Sequence, residues 1–398
     1  MTTPAVADSL IGEHVTCLPI ESLPLAQCGG AVLRENVYGE RDAPPFDRVA
    51  MDGIALRAAD AGKTRKFRIQ ARQAAGDAPM TLAAGPHCIE IMTGAMLPAD
   101  CDAVVPVERL TIQDGMARLA NDLIVSPGLH VHARGSDSSQ GALLLAAGTR
   151  LGAPEIAVAA GAGMARVRVS SQPNIVVVST GNELVEAGEP ILAHQVRRSN
   201  AYGILAALRQ RGFRRVADDH VRDDAAEMRA RLRFHLDTHD VLILSGGVSM
   251  GALDLVPGTL RELGVREVFH KVEQRPGRPL WFGIGPTGQA VFGLPGNPVS
   301  TLVCLARYVT PALYAAMGEA PIAPQRLALS EAVEVRHSLT SFLPVKVIGD
   351  DWGRDWAEPR ATNGSGDFTA LTGTDGFVEL PPGPNRHAKG FVTRCWRW

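Results

Sequence analysis

Aliphatic and β-branched residues collect in the cores of three short runs from residue 174 onward, at 174–179, 241–244 and 289–292. Strands covered on both faces have this pattern, whereas half-solvated strands alternate apolar with polar. Between and after the runs, apolar positions recur three and four residues apart over 200–211, 223–236 and 298–314, which is the spacing of helices with one buried face. Strand alternating with helix predicts a doubly wound, mostly parallel α/β domain over 173–318.

Elsewhere the pattern is finer. Over 46–135, apolar pieces such as 88–92 and 103–107 are broken by Gly and Pro, predicting a small β-rich domain. Residues 1–45 are weakly helical and close on Pro44-Pro45. Residues 136–172 hold an apolar segment, a helix opening near Pro154 and a strand-like 166–169; together with 1–45 they form a linking segment. After Gly318 the texture changes again. Runs at 327–335, 342–348, 376–380 and 391–396 read as strands of a small all-β closing domain, 319–398. The architecture is therefore multidomain, α/β and β.

Composition narrows the function classes. The 398 residues are 45% hydrophobic and 21% charged, with a formal net charge of −2. A balance so near neutrality offers no general attraction to nucleic acid or to an anionic membrane surface, and neither partner is expected. Only five of the 40 basic residues are lysines (Lys63, Lys66, Lys271, Lys346 and Lys389), so an Arg in place of a Lys can reflect a bias of the whole chain. The six cysteines, at 17, 28, 88, 101, 304 and 395, show no C-x-x-C spacing and no His pair that would complete a zinc site. Scattered thiols, a start without a basic or apolar leader, and apolar runs far too short for a membrane span give the expectation of a soluble cytoplasmic protein.

In open α/β sheets, ligands bind beyond the carboxyl ends of the parallel strands. All three runs end in Gly-rich polar loops. The first continues into Ser179-Thr180-Gly181-Asn182-Glu183-Leu184. The second continues into Ser245-Gly246-Gly247-Val248-Ser249-Met250-Gly251, with Asp254 just beyond. The third continues into Gly293-Leu294-Pro295-Gly296-Asn297-Pro298-Val299-Ser300 and then a helix. Glycine lets backbone approach a ligand, and unpaired N–H groups cradle anions. Any one such loop reads equally well as a tight connection, but three on one rim, two of them with carboxylates, point to a site. Glu183 and Asp254 suit a hard cation such as Mg²⁺, or else are solvated loop acids. Lys271, Arg275 and Arg278 stand on a Pro-stiffened loop (Lys271 to Pro279) that can hold an oxyanion or be a charged turn.

In the small domain, Met51-Asp52-Gly53-Ile54 carries the Asp-Gly signal of a tight hairpin, making Asp52 a turn residue. Thr93-Gly94 is a strand exit, and Arg134-Gly135-Ser136-Asp137 is open to either reading. H-E-x-x-H and Walker motifs do not occur, which weakens metalloprotease and P-loop ATPase readings.

Taken in order, Phe46-Asp47 through Met51-Asp52-Gly53, Met92-Thr93-Gly94-Ala95 with Leu97-Pro98, Ser179 to Leu184, Ser245 to Gly251 with Asp254, and Gly293 to Ser300 resemble the molybdopterin molybdenumtransferases, the MoeA family, whose eukaryotic counterpart is the C-terminal part of gephyrin. The resemblance runs nearly end to end. It implies a MogA-like central domain, a C-terminal β-barrel and a dimerising linking segment. It also implies an elongated homodimer whose cleft pairs the α/β domain of one subunit with the small β domain of the other. The implied reaction inserts molybdate into adenylyl-molybdopterin, supplied by a molybdopterin adenylyltransferase, with Mg²⁺-dependent release of AMP.

By position, the resemblance makes Glu183 and Asp254 the cation ligands and Asp52, Thr93, Asp137 and Asp223 activity-linked residues. It makes Thr180, Gly181, Asn182, Ser245, Gly246, Gly247, Ser249, Lys271, Arg275, Arg278, Pro295, Gly296, Asn297, Pro298 and Ser365 substrate-side residues. Five departures from the family pattern stand out: Ile54 for Tyr, Asn182 for Asp, Arg275 and Arg278 for Lys, and Pro344 for Arg. Two other readings fit the same strings: a pterin-binding scaffold paralogue without turnover, and an enzyme cleaving the phosphoanhydride of another nucleotide conjugate.

Overall fold

The computed structural model describes residues 1–248, 255–383 and 385–398. Its central sheet has six strands in the order Val216–Val221, Ile175–Thr180, Val241–Ser245, Ala290–Leu294, Trp281–Ile284 and Arg266–His270. The first four run parallel and the last two are antiparallel additions. The unbroken apolar runs are explained by two cores, one on each face. Ile175, Val177, Val241 and Ile243 point into one core, covered by the Ser199–Gln210 helix and the helical stretch 298–316. Val176, Val178, Leu242 and Leu244 point into the other, covered by Ala225–Thr238 and Leu255–Glu262. Fully burying one such side chain stabilises by roughly 1.5–3 kcal/mol, so a polar replacement on either face is costly.

Three of these strands were not legible in the chain. Val216–Val221 reads Val-Ala-Asp-Asp-His-Val because it is an edge strand with one hydrogen-bonded neighbour and a largely solvated surface. The two antiparallel strands are short extensions beyond the βα repeat. The 19-residue stretch 298–316 is α-helical at both ends with a π-helical turn, Leu305–Val309, between them. By length and composition it could cross a membrane, but 78% of its apolar window is buried in the protein, the condition of a core helix.

The C-terminal strands close into a five-membered ring: Thr340–Gly349, Asp355–Pro359, Gln325–Leu329, Val392–Arg397, Gly376–Leu380, and back to Thr340–Gly349. Asp355–Pro359 escaped the sequence pattern, and 327–335 is two separate strands, Gln325–Leu329 and Val333–Glu334. A sixth, two-residue strand, Gln274–Arg275, comes from the basic loop of the central domain and pairs in parallel with Thr340 and Ser341. The α/β domain and the barrel thus share a backbone ladder.

The small domain holds a mixed six-stranded sheet in the order Ala103–Pro106, Gly53–Leu56, His87–Ile91, Lys66–Gln73, Met116–Leu119 and Leu110–Gln113. Asp52-Gly53 is not a hairpin turn, which corrects the sequence expectation. Arg48–Val49 pairs with Val131–His132, and Gly53 opens a strand that pairs with two others. The glycine is needed because a Cβ there would run into the carbonyl oxygen of Val105.

The linking segment is stitched by Ile20–Pro24 against Arg166–Ser170 and by Val37–Tyr38 against Leu143–Leu145. Its helix, Ala153–Gly161, is capped by the Glu155 carboxylate accepting from the Gly152 N–H at 2.9 Å. The first helix, Pro4–His14, instead buries Ala7 and Ile11 in the central core. Two ion pairs tie the parts together. Arg307, 2% exposed, donates to Asp8 at 2.6 and 2.8 Å and to Glu379 at 3.0 Å, lying between the rings of Tyr308 and Trp396. Arg150 donates to both oxygens of the Glu319 carboxylate at 2.8 and 2.6 Å.

Candidate active site

The parallel register sets Ser179 beside Ser245 and Ser245 beside Leu294, so the three Gly-rich loops leave the sheet at one level. The Gly246 N–H donates to the Leu294 carbonyl at 3.1 Å, fastening the second loop to the third. Gly181, Gly246 and Gly247 have φ of +142°, +96° and +64°, values that disfavour any side chain. Space forbids one as well. A Cβ at Gly181 would lie 2.5 Å from a Glu183 carboxylate oxygen, and one at Gly247 would lie 2.8 Å from Thr180 Oγ1. The Ser179 and Thr180 hydroxyls are buried beneath these loops with no hydrogen-bond partner among the described residues. Ser249 and Asp254 lie outside the described residues.

Glu183 is exposed and makes no ion pair among the described residues. Asn182 and Asp223 hold each other: the Asn182 N–H donates to Asp223 Oδ2 at 3.3 Å, and the Asp223 N–H donates to Asn182 Oδ1 at 3.1 Å. Asp223 therefore shapes the first loop through its backbone. His220 Nε2 lies 2.8 Å from the Gly181 carbonyl, adding a second tie. Among the described residues no group of three or more His, Cys, Asp or Glu side chains could cage a metal. An exposed carboxylate folded over Gly181 fits Mg²⁺, which takes one or two carboxylates and fills its shell with water and phosphate oxygens.

Asn200, at the start of the Ser199–Gln210 helix, was not singled out from the sequence. Its Nδ2 donates to Ser245 Oγ at 3.0 Å and to the Gly296 carbonyl at 2.7 Å, bridging the second and third loops. The available signal was an Asn in the first turn of an expected helix. That ordinarily reads as a cap, and nothing local says the side chain reaches elsewhere.

A cleft of about 520 Å³ opens between the third loop, the basic loop and the barrel, lined by Arg275, Arg278, Pro295, Asn297 and Ser365 among others. Lys271, Gly296 and Pro298 are not part of its lining. Lys271 sits at φ +77°, a strained value for a side-chain-bearing residue, with its carbonyl accepting from the Thr2 N–H at 3.2 Å. The basic loop is anchored from below. Gln274, 0% exposed, accepts from the Tyr308 hydroxyl and donates to the Pro276 carbonyl at 3.2 Å. A Cβ on Gly277 would meet Cys304 Sγ at 2.6 Å. Burial pushes the Cys304 thiol far up, so it stays neutral against the Gly277 backbone. On the opposite wall, Asn297 Nδ2 donates to Ser365 Oγ at 2.7 Å, and the Val299 N–H, an orphan donor of the first helical turn, donates to the Ser365 carbonyl at 3.1 Å. Asp367 braces that loop. It accepts from the Asn363 N–H at 3.0 Å and from Thr369 Oγ1 at 2.7 Å, and these bonds hold its carboxyl below the ordinary range.

The small-domain residues form a separate group. Asp52 Oδ1 accepts from the Thr93 N–H at 2.6 Å and from Thr93 Oγ1 at 2.8 Å, which keeps Asp52 ionised below the usual Asp range. The pairing of Gly53 with Ile91 brings the two chain segments together. Asp137 Oδ1 lies 2.9 Å from His132 Nε2, and His132 Nδ1 lies 3.2 Å from the Arg48 guanidinium. Since the guanidinium can only donate, the ring proton sits on Nε2 and points to Asp137. No hydrogen bond or ion pair among the described residues joins Asp52, Thr93 or Asp137 to the loops of the central domain.

Three family models match successive parts of the chain: the MoeA N-terminal region (domain I and II) over 3–163, a probable molybdopterin binding domain over 176–315, and the MoeA C-terminal region (domain IV) over 326–392. A molybdopterin molybdenumtransferase of Synechocystis sp. is 38% identical over 383 residues, 96% of each chain. Molybdopterin molybdenumtransferase 2 of Mycobacterium tuberculosis is 35% identical over 337 residues, covering 82% of this chain and 81% of its own. The crystal structure of the molybdopterin biosynthesis MoeA protein from Pyrococcus horikoshii superposes with a TM-score of 0.80 at 30% identity, covering 100% of this chain and 99% of that one. With three matched regions spread along its length and these relatives covering most of it, the chain belongs to the MoeA family, the molybdopterin molybdenumtransferases of molybdenum cofactor biosynthesis.

Proposed function

We propose that this transferase acts on adenylylated molybdopterin, inserting molybdate into the dithiolene as AMP leaves. The observation that carries the reading is the adjacency of two unlike anion sites: a rim of three glycine loops built for a phosphate chain, and a cleft presenting Arg275 and Arg278 to an oxyanion.

The loops from Thr180, Gly246 and Gly296 bring backbone close to the phosphates, and Asn182 and Asp223 keep the first loop in shape. Pro295 and Asn297, locked to Ser365, wall the pterin side. Arg275 and Arg278 hold molybdate by charge and orientation, leaving the protein little covalent work. Glu183 and Asp254 would hold Mg²⁺, which when bound supplies charge neutralisation on the pyrophosphate. The paired Asp52 and Thr93, with Asp137, reach this site from a second copy of the chain in a homodimer, since within one copy no hydrogen bond or ion pair among the described residues joins them to it. The upstream partner is the adenylyltransferase that makes the substrate, and the setting is the cytoplasm.

The test is purified protein with adenylyl-molybdopterin, Mg²⁺ and molybdate, following AMP release and metal uptake together. Glu183→Ala is expected to remain folded and lose Mg²⁺-dependent AMP release; unchanged turnover in that variant refutes its role. AMP release without metal uptake would instead support an enzyme acting on another nucleotide conjugate.

A further inference from the structure

We infer that the barrel supplies the second half of the oxyanion site through Arg336, His337 and Ser341. The ligand is a tetrahedral dianion of the molybdate type, and the inference rests on the function proposed above.

The cleft is lined by three arginines, Arg275, Arg278 and Arg336, and by one carboxylate, Glu334. None of the three guanidinium groups is in an ion pair among the described residues. Four charged side chains therefore leave a net charge of about +2 facing the cavity, the complement of a dianion. Two of the arginines come from the central domain. The third comes from the barrel, in the segment just before the Thr340–Gly349 strand. The strand itself offers no cation at Pro344, which also lines the cleft, so charge on the barrel side comes from Arg336.

Two further observations point to a ligand here. Ser341 is 9% exposed, lines the cleft, and its Oγ has no hydrogen-bond partner among the described residues. A buried hydroxyl without a partner is uncommon and is satisfied by an acceptor brought in from outside. It stands directly across the ladder from Arg275, so one backbone pairing sets the hydroxyl and the guanidinium side by side. His337 is the second. The Leu339 N–H donates to His337 Nδ1 at 3.3 Å, which leaves the proton on Nε2 and makes a neutral ring a donor. The segment is fixed at both ends, by the Val335 N–H donating to the Asn385 carbonyl at 2.7 Å and the Thr340 N–H donating to the Glu273 carbonyl at 3.1 Å. Its donors are therefore placed before the ligand arrives, and little ordering remains to be done on binding.

The experiment is equilibrium dialysis of radiolabelled molybdate against the full-length protein, with AMP release and metal uptake measured on the same preparations. Arg336→Ala should raise the dissociation constant about 10–100-fold, the loss of one charge-assisted bond. Arg336→Lys should recover part of that, and Ser341→Ala should cost about 3–10-fold. Arg336 is exposed, so the urea midpoint of Arg336→Ala should match wild type, separating a binding defect from a folding one. Wild-type affinity in both Arg336→Ala and Ser341→Ala, alongside normal wild-type turnover, overturns this inference and leaves the proposed function standing. A wild-type protein that neither binds molybdate nor incorporates it overturns both.

Discussion

Asn200 offers a direct test of whether the glycine loops act as one unit. Asn200→Ala deletes two hydrogen bonds, one to Ser245 Oγ at 3.0 Å and one to the Gly296 carbonyl at 2.7 Å. At roughly 0.5–1.5 kcal/mol net for each bond, the total is about 1–3 kcal/mol. The bond to Gly296 is solvent-exposed, so water replaces part of it and the lower half of that range applies. If the amide matters because it aligns the loops on the bound phosphates, the loss falls mainly on kcat/KM, and about 1–2 kcal/mol corresponds to a roughly 5–30-fold decrease. Asn200→Asp is the sharper variant. It puts lone pairs against the Gly296 carbonyl and adds negative charge where phosphate is to bind, so activity should fall further than in Asn200→Ala. The measurement is kcat/KM for AMP release beside the urea midpoint of the same preparation. A lowered midpoint with kcat/KM intact in the folded protein would reduce Asn200 to a structural tie, and no change in either quantity would remove it from the site.

Other expectations concern the joints between parts. Arg307→Met should cost about 3 kcal/mol, the low end for breaking a buried ion pair, because Trp396 Nε1 still donates to Glu379 and half-exposed Asp8 rehydrates; urea unfolding reads it, and Glu379→Gln in the same chain should restore part of the loss. Asp367 is held below the ordinary carboxyl range, first by the Asn363 N–H and then by Thr369, so its contribution is present above about pH 4 and lost as pH falls through its native value. Asp367→Asn should therefore flatten the acid limb of the stability profile while leaving the neutral region nearly level; an unchanged acid limb counts against the brace. If the site is shared between copies, mixing Asp52→Asn chains with Glu183→Ala chains should restore about a quarter of wild-type turnover, since half the dimers are mixed and each has one intact site. No recovery on mixing would place both groups in one copy.

How much of this was legible in the chain follows from what each element buries. Ile175–Thr180 and Val241–Ser245 announce themselves because neighbouring residues feed two different cores, which forces an unbroken apolar run. Val216–Val221 belongs to the same sheet yet reads as a charged turn: Asp219, within the strand, is taken up by Arg231 and His235 on the covering helix, so its charge is neutralised by a partner that no local pattern reveals. The Asp52-Gly53 signal misled for a related reason. Glycine is favoured both by a hairpin turn and by close approach of two strands, and only the position of Val105 decides between them.

The site shows the same division. Glu183, Gly246 and Asn297 were found because loops at the ends of parallel strands are contiguous in sequence, whereas Asn200 and Ser341 depend on contacts that only the fold creates. The ladder between Gln274–Arg275 and Thr340–Gly349 is the clearest case. Two residues of a basic loop, unremarkable as a strand by any periodicity, become part of the barrel sheet and fix the distance between the two walls of the cleft. The buried Gln274–Tyr308–Cys304 contacts then hold that strand to the long core helix, and Arg307, one residue before Tyr308, ties the same helix to Glu379 of the barrel. The cleft is thus framed by one ladder and one ion pair that converge on a single helix. Its width is set by the packing of 298–316, and not by the sequence of the loops that line it.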